Sequence, residues 1–165
     1  MTSAAVAVFR DGPIQGDVVG THEQGGVRLT AVFRELPPGR HGFHIHKAGD
    51  LRGEGCLGAC EHFHVGPPCR HGDRPHGAGD HQERHTGDLG NISSAQSHYS
   101  YFLKGVRVED LWGRSLIVHK DEDDLGKGDF PDSGTTGHSG ARIGCAILGR
   151  GAVAQKTRRR TRRRS

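Results

Sequence analysis

The sequence lacks any long apolar run. No stretch reaches the length of a transmembrane helix, and residues 1–11 show none of the basic, apolar and small-residue pattern of a signal peptide. We therefore expect a soluble chain without a membrane span, made without export and located in the cytoplasm. Its 165 residues are the usual size of one domain.

Aromatic residues are scarce at 5%, whereas Gly reaches 27 residues, a balance that favours strands joined by turns over helices. The clearest strand is 27–33, where apolar and polar side chains alternate. Short β-rich runs recur at 4–9, 14–21, 27–33, 41–46, 98–103, 105–108, 114–119 and 142–148. This spacing predicts an all-β, Greek-key barrel or sandwich of about eight strands, immunoglobulin-like in architecture.

Two long loops interrupt the strands, at residues 47–91 and 120–141, and both are rich in Gly and Asp. Loops of this length in a compact domain are uncommon unless they are functional or are held by covalent or metal links. The first loop carries three of the four cysteines and six of the 13 histidines. We therefore expect both loops to be functional.

The C-terminus has a different composition. From Gly149 onward we expect a frayed terminus, and TRRRTRRRS at residues 157–165 contains six Arg and no acidic residue. We divide the chain into a folded domain at 1–150 and a disordered basic tail at 151–165. Arg158 to Arg164 could bind nucleic acid or an acidic partner, or could simply be a solvated appendage.

Histidines follow one strand in an alternating pattern. In HGFHIHKAGD, at 41–50, His44 and His46 alternate with Phe43 and Ile45. Because strand side chains alternate between faces, the two imidazoles lie about 7 Å apart on one face. This arrangement can bind a metal, although an isolated His-x-His is more often a pair of solvated side chains.

Four segments in their order along the chain identify a family. GFHIH, GDLGN, IVHKDEDDLGKG and TTGHSGARIGCAILG together resemble the copper-zinc superoxide dismutases, and the resemblance covers residues 4–149. It implies one copper and one zinc ion per chain. It assigns copper to His44, His46, His62 and His119, and zinc to His62, His76, His85 and Asp88. The segment between His62 and His76 is longer than is usual in the family, so His71 remains an alternative to His76.

The resemblance also implies roles beyond the ligands. Asp123 would hold a copper ligand, His46, and the zinc ligand at position 76 in their tautomers. Arg142 would dock the superoxide anion. Cys56 and Cys145 would form a disulfide, which is otherwise unexpected in a chain without an export signal. Cys60 and Cys69 could pair with each other or stay free.

The implied activity is removal of superoxide, giving oxygen and hydrogen peroxide as copper cycles between Cu(II) and Cu(I). His62 and Arg142 would be the catalytic residues, and zinc would order the site. The resemblance also implies a homodimer. The alternative is a non-catalytic copper- and zinc-binding relative that acts as a copper store or a chaperone-like module.

Overall fold

The computed structural model describes residues 1–66 and 84–155. The expected ligands His71 and His76, Cys69 and the tail Arg158 to Arg164 lie outside the described residues. Within the two described ranges, no helix is both long enough and apolar enough to cross a membrane.

Two antiparallel sheets form a sandwich. The described strands are β1 (Thr2–Phe9), β2 (Gln15–Glu23), β3 (Gly26–Glu35), β4 (Arg40–His46), β5 (Asp88–Ser93), β6 (His98–Lys104), β7 (Ser115–His119), β8 (Arg142–Ile147) and β9 (Gly149–Val153). One sheet has the order β6-β3-β2-β1-β9 and the other β5-β4-β7-β8. The chain changes sheet after β3, β5, β6 and β8. This confirms the all-β architecture expected from the sequence.

In the described parts of the chain, three short helical segments lie in the connections. They are a 3₁₀ helix at Glu54–Ala59, α1 at Val108–Leu111 and α2 at Ser133–Thr136. The 3₁₀ helix interrupts the first long loop, and α2 interrupts the second.

The core lies between the sheets and follows the alternation seen in the sequence. On β3, Leu29 and Ala31 are fully buried, whereas Thr30 between them is exposed. Phe33 continues the buried face and meets Phe43 of β4, with ring centroids 5.5 Å apart at nearly right angles. The apolar face of strand β4, which also carries His44 and His46, is therefore fixed by packing against the opposite sheet.

Three local predictions were wrong. Residues 105–108 form a turn leading into α1 rather than a strand, because Gly105 leaves the strand at a φ of 73° and Asp110 accepts a hydrogen bond from the Arg107 N–H at 2.9 Å. Residues 88–91 begin strand β5 instead of ending a loop. Gly149–Val153 pairs with β1 as β9, so the folded part extends beyond residue 150.

Tyr101 carries a buried hydroxyl that no group in residues 1–66 or 84–155 hydrogen-bonds. Tyr101→Phe removes this unsatisfied group and keeps the ring packing, so we expect the free energy of unfolding to rise by about 1 kcal/mol in urea denaturation.

The neighbouring Tyr99 supplies the matched control. Its hydroxyl donates to the Ser93 carbonyl at 3.1 Å and accepts from the Ser93 N–H at 2.9 Å. Tyr99→Phe should therefore lower stability by about 1 kcal/mol. Equal effects of the two substitutions would contradict this account.

Candidate metal centre

Strand β4 places its two histidines in the protein interior. Phe43 and Ile45 are fully buried in the core, and His44 and His46, on the other face, have only 0% and 1% of their surface exposed. The two imidazoles are therefore not solvated, contrary to the ordinary expectation for a His-x-His strand. Buried polar rings need partners, so this face must be covered by groups that satisfy them.

Two further histidines complete a cluster over β4. His62 follows the 3₁₀ helix and forms an isolated antiparallel bridge with His46, and His119 ends the adjacent strand β7. One ligand atom from each of His44, His46, His62 and His119 lies within 4.8 Å of all the others, and all four residues are buried. The structure thus brings together the four histidines expected at copper.

Backbone carbonyls orient two of these rings. His46 donates through Nδ1 to the Cys60 carbonyl at 2.6 Å, and His119 donates through Nδ1 to the Gly140 carbonyl at 3.0 Å. A neutral imidazole that donates from one nitrogen carries its lone pair on the other. Both rings therefore present Nε2 as the atom that can bind a cation.

Asp123 orients a different ring from the one expected. Its Oδ2 accepts a hydrogen bond from His44 Nε2 at 2.7 Å, whereas the expected partner His46 bonds to Cys60. The reason is the direction of the strands. His44 lies toward the end of β7 from which the loop carrying Asp123 departs, and His46 lies toward the opposite end.

Asn91 anchors Asp123 and was not singled out from the sequence. Its side-chain oxygen accepts the Asp123 N–H at 2.7 Å, and its side-chain nitrogen donates to the Asp123 carbonyl at 2.9 Å. The segment GDLGN, in which Asn91 stands, was the available signal. The carbonyls of Cys60 and Gly140 were also missed, because every residue has a backbone carbonyl and the residue type does not show which one accepts a hydrogen bond.

A second cluster shares His62. His62, His85 and Asp88 form a second group whose ligand atoms lie within 4.8 Å of one another. Asp88 is fully buried, with Oδ1 2.7 Å from His62 Nδ1 and Oδ2 3.4 Å from His85 Nδ1. The two nitrogens of His62 therefore serve different clusters. His76, the expected fourth member, lies outside the described residues.

His64 lies near the second cluster and is half-buried. Its Nδ1 accepts the Thr86 N–H at 3.3 Å, and its ring lies 5.9 Å from that of His85. It belongs to neither group of ligand atoms among the described residues.

The electrostatics of the four-histidine cluster fit a metal ion. Burial lowers the pKa of His46 far below its usual range, and burial, with smaller contributions from His62 and Arg142, lowers the pKa of His119 to about 4. Neutral imidazole is the form that binds metals. Within residues 1–66 and 84–155, Nε2 of both rings is buried without a hydrogen-bond partner, and a bound cation would satisfy both atoms.

Arg142, at the start of β8, is held beside the cluster by two carbonyls. Its Nη1 donates to the Cys56 carbonyl at 2.7 Å and its Nη2 to the Cys60 carbonyl at 2.8 Å. The Cys60 carbonyl thus holds both His46 and Arg142. Because the guanidinium is only partly buried, a fixed positive charge is available to a small anion at the site.

A disulfide links the 3₁₀ helix Glu54–Ala59 to strand β8. Cys56 and Cys145 are bonded across a sequence separation of 89 residues, as the resemblance implied. On the chain-entropy model, closing such a loop stabilises the fold by about 4 kcal/mol. Cys60 remains a free, exposed thiol.

Comparison with known proteins agrees with this geometry. The family model described as "Copper/zinc superoxide dismutase (SODC)" matches residues 14–148. The chain is 39% identical over 153 residues to "Superoxide dismutase [Cu-Zn]" of Paramecium bursaria Chlorella virus 1, covering 88% of this chain and 78% of the relative. It is 38% identical over 155 residues to the protein of the same name from Candida albicans, covering 88% and 96%.

A solved structure agrees as well. The crystal structure of the clock protein EA4 superimposes with a TM-score of 0.73 at 34% identity, covering 90% of this chain and 94% of that one. The fold and the site thus define a β-sandwich protein of the metal-binding oxidoreductase class. The chain belongs to the copper/zinc superoxide dismutase family.

Cys60 has a backbone conformation that glycine adopts most easily, with φ 62° and ψ −150°. Cys60→Gly keeps the carbonyl that holds His46 and Arg142 and relieves the strain. We therefore expect it to raise the free energy of unfolding by about 1 kcal/mol in urea denaturation of the disulfide-bonded protein.

Leu57→Gly, in the same segment, is the matched control. Leu57 is not among the described residues with positive φ, so glycine there relieves no backbone strain and adds unfolded-state entropy. It should lower stability by about 0.5–1 kcal/mol. Destabilisation by Cys60→Gly would show that the Cys60 backbone is not strained.

Proposed function

We propose that this chain converts superoxide to oxygen and hydrogen peroxide, using one copper and one zinc ion per chain. The observation that carries the proposal is the buried cluster of four imidazoles whose ligand atoms lie within 4.8 Å of one another. A second cluster shares one of those imidazoles, His62, as a two-metal site requires.

The ligand types support a division between the metals. Copper would be held by the all-imidazole cluster of His44, His46, His62 and His119, because imidazole suits copper. Zinc would be held by His62, His85 and Asp88, because a carboxylate added to imidazoles suits a closed tetrahedral zinc site. His76 would be the fourth zinc ligand, with His71 the alternative.

Bound copper would supply the one-electron chemistry by cycling between Cu(II) and Cu(I), and zinc, which has no redox chemistry of its own, would keep the site ordered. Formation of hydrogen peroxide also requires two protons. His62 would take up one proton from solvent at Nε2 in the half-reaction that releases oxygen and would give it up as hydrogen peroxide forms, and solvent would supply the other proton. Asp88, 2.7 Å from His62 Nδ1, keeps the ring in position throughout.

Arg142 would bind the substrate. Superoxide is a small anion. Two carbonyls hold the Arg142 guanidinium in a fixed position, so the side chain would not have to reorganise when it binds the anion. The buried His46 and His119 remain neutral, so they do not compete for the anion. A non-catalytic metal-binding relative is not favoured, because the four histidines and Arg142 are assembled together.

The assignment of copper to one cluster and zinc to the other predicts that different substitutions remove different metals. His119→Ala should lower the copper content about tenfold or more while zinc is retained, because His119 belongs to the first cluster alone. His85→Ala should lower zinc in the same way while copper is retained. Elemental analysis by plasma mass spectrometry after loading with both metals measures the two contents.

His22→Ala is the control, since His22 is exposed on β2 and belongs to neither described cluster. It should change neither metal content. Loss of zinc from His119→Ala with copper retained, or the reverse for His85→Ala, would overturn the division.

The chain would form a homodimer through an apolar patch beside the disulfide. Leu57 follows Cys56 and is 67% exposed, and Ile147 lies two residues beyond Cys145 and is 46% exposed. The Cys56–Cys145 bond brings these two side chains to one surface. Exposed large apolar groups in such a cluster favour burial in an interface.

Ile147→Lys should therefore shift the protein from dimer to monomer in sedimentation velocity, because it places a charge in the patch. Val8→Lys is the control, since Val8 is similarly exposed on β1, in the other sheet. A wild-type chain that sediments as a monomer, or an Ile147→Lys chain that stays dimeric, would contradict this interface.

Two expectations from the sequence stay predictions. One is binding of nucleic acid or an acidic partner by Arg158 to Arg164. The other is a cytoplasmic location, since the Cys56–Cys145 disulfide also suits an oxidising compartment.

A further inference from the structure

We propose that the Cys60 thiol exchanges with the neighbouring disulfide, replacing the Cys56–Cys145 bond with a Cys56–Cys60 bond. The function described above gives Cys60 no role for its side chain. The thiol is nevertheless free and exposed, and it stands four residues from a disulfide that closes the metal-binding loop. The exchange would be a redox-neutral switch built into the site.

The geometry places the two cysteines close together. Cys56 lies in the 3₁₀ segment Glu54–Ala59, which is kinked at Gly55 and Cys56, and Cys60 caps that segment, so four positions separate the two cysteines. The guanidinium of Arg142 donates to both of their carbonyls, which brings the two backbones within reach of one planar group. Cys56 is partly buried and Cys60 is exposed.

The exchange needs no oxidant. The Cys60 thiolate attacks Cys56 Sγ, the new Cys56–Cys60 bond forms as the Cys56–Cys145 bond breaks, and Cys145 leaves as a thiolate that takes up the proton lost by Cys60. One disulfide and one thiol are present before and after.

The consequence reaches the metal centre. In the present bonding, Cys145 on β8 fixes the segment whose Cys56 and Cys60 carbonyls hold Arg142, and the Cys60 carbonyl also holds His46. A Cys56–Cys60 bond closes only a small ring and leaves this segment untethered from β8. Both Arg142 and His46 would then lose fixed acceptors.

Metal binding should oppose the exchange, a step that rests on the proposed function. His62 stands two residues after Cys60, and His46 hydrogen-bonds the Cys60 carbonyl. When both histidines hold a metal, the segment between them has less freedom to bring the Cys60 sulfur onto Cys56. The exchange would therefore mark protein that lacks its metals.

The experiment maps the disulfides of the Cys69→Ser chain, in which Cys60 is the single free thiol of the oxidised protein. Metal-stripped and copper- and zinc-loaded samples are incubated without oxygen, alkylated with N-ethylmaleimide and digested without reduction. In the stripped sample we expect linked Cys56–Cys60 peptides and alkylated Cys145. Alkylation of Cys145 should be about tenfold above that of the loaded sample.

Cys60→Ser combined with Cys69→Ser is the matched control, and its Cys145 should remain unalkylated. Alkylation at Cys60 alone in the stripped sample, or a Cys60–Cys145 link, would overturn the exchange. Equal exchange in both samples would overturn its coupling to metal. The peptide map does not depend on superoxide removal, so failure here is distinct from failure of the proposed function.

Discussion

The alternation of strand β4 is the constraint on which the site depends. Burial of Phe43 and Ile45 in the core fixes the direction in which His44 and His46 point, because a shift of one residue would exchange the two faces. The imidazole face is buried as completely as the apolar one. Its rings are satisfied by a carboxylate, by carbonyls and by the cation that their remaining nitrogens are placed to bind.

A single backbone carbonyl connects the four-histidine cluster to Arg142, the proposed substrate-binding residue. The Cys60 carbonyl accepts from His46 at 2.6 Å and from Arg142 at 2.8 Å, so the positions of one proposed copper ligand and of the guanidinium are coupled. The disulfide to Cys145 holds the segment that presents this carbonyl. Loop closure, ligand orientation and anion binding therefore depend on the same short stretch of chain.

The sequence predicted the parts of the site that depend on residue type and periodicity. The pair His44 and His46 followed from strand alternation, and the resemblance added His62, His119, Arg142 and the disulfide. It could not identify which histidine Asp123 contacts, because that depends on where the loop after β7 leaves the strand. Backbone acceptors such as the Gly140 carbonyl could not be predicted from the sequence either.

The fold was predictable to a similar degree. The alternation of β3 predicted a half-buried strand, whereas β9 was missed because Gly149 and Gly151 give it little apolar pattern. Pairing with β1 supplies the stability that local preference does not. Pairing with β4 is also the reason that residues 88–91 form the start of strand β5 and not the end of a loop.

The central claim is that the two clusters sharing His62 form a redox copper site and a zinc site. Metal analysis of the purified protein after loading with both ions, combined with an assay of superoxide removal, tests it most directly. The account predicts one copper and one zinc per chain and rapid removal of superoxide. Zinc alone after copper loading, with no activity, would contradict it.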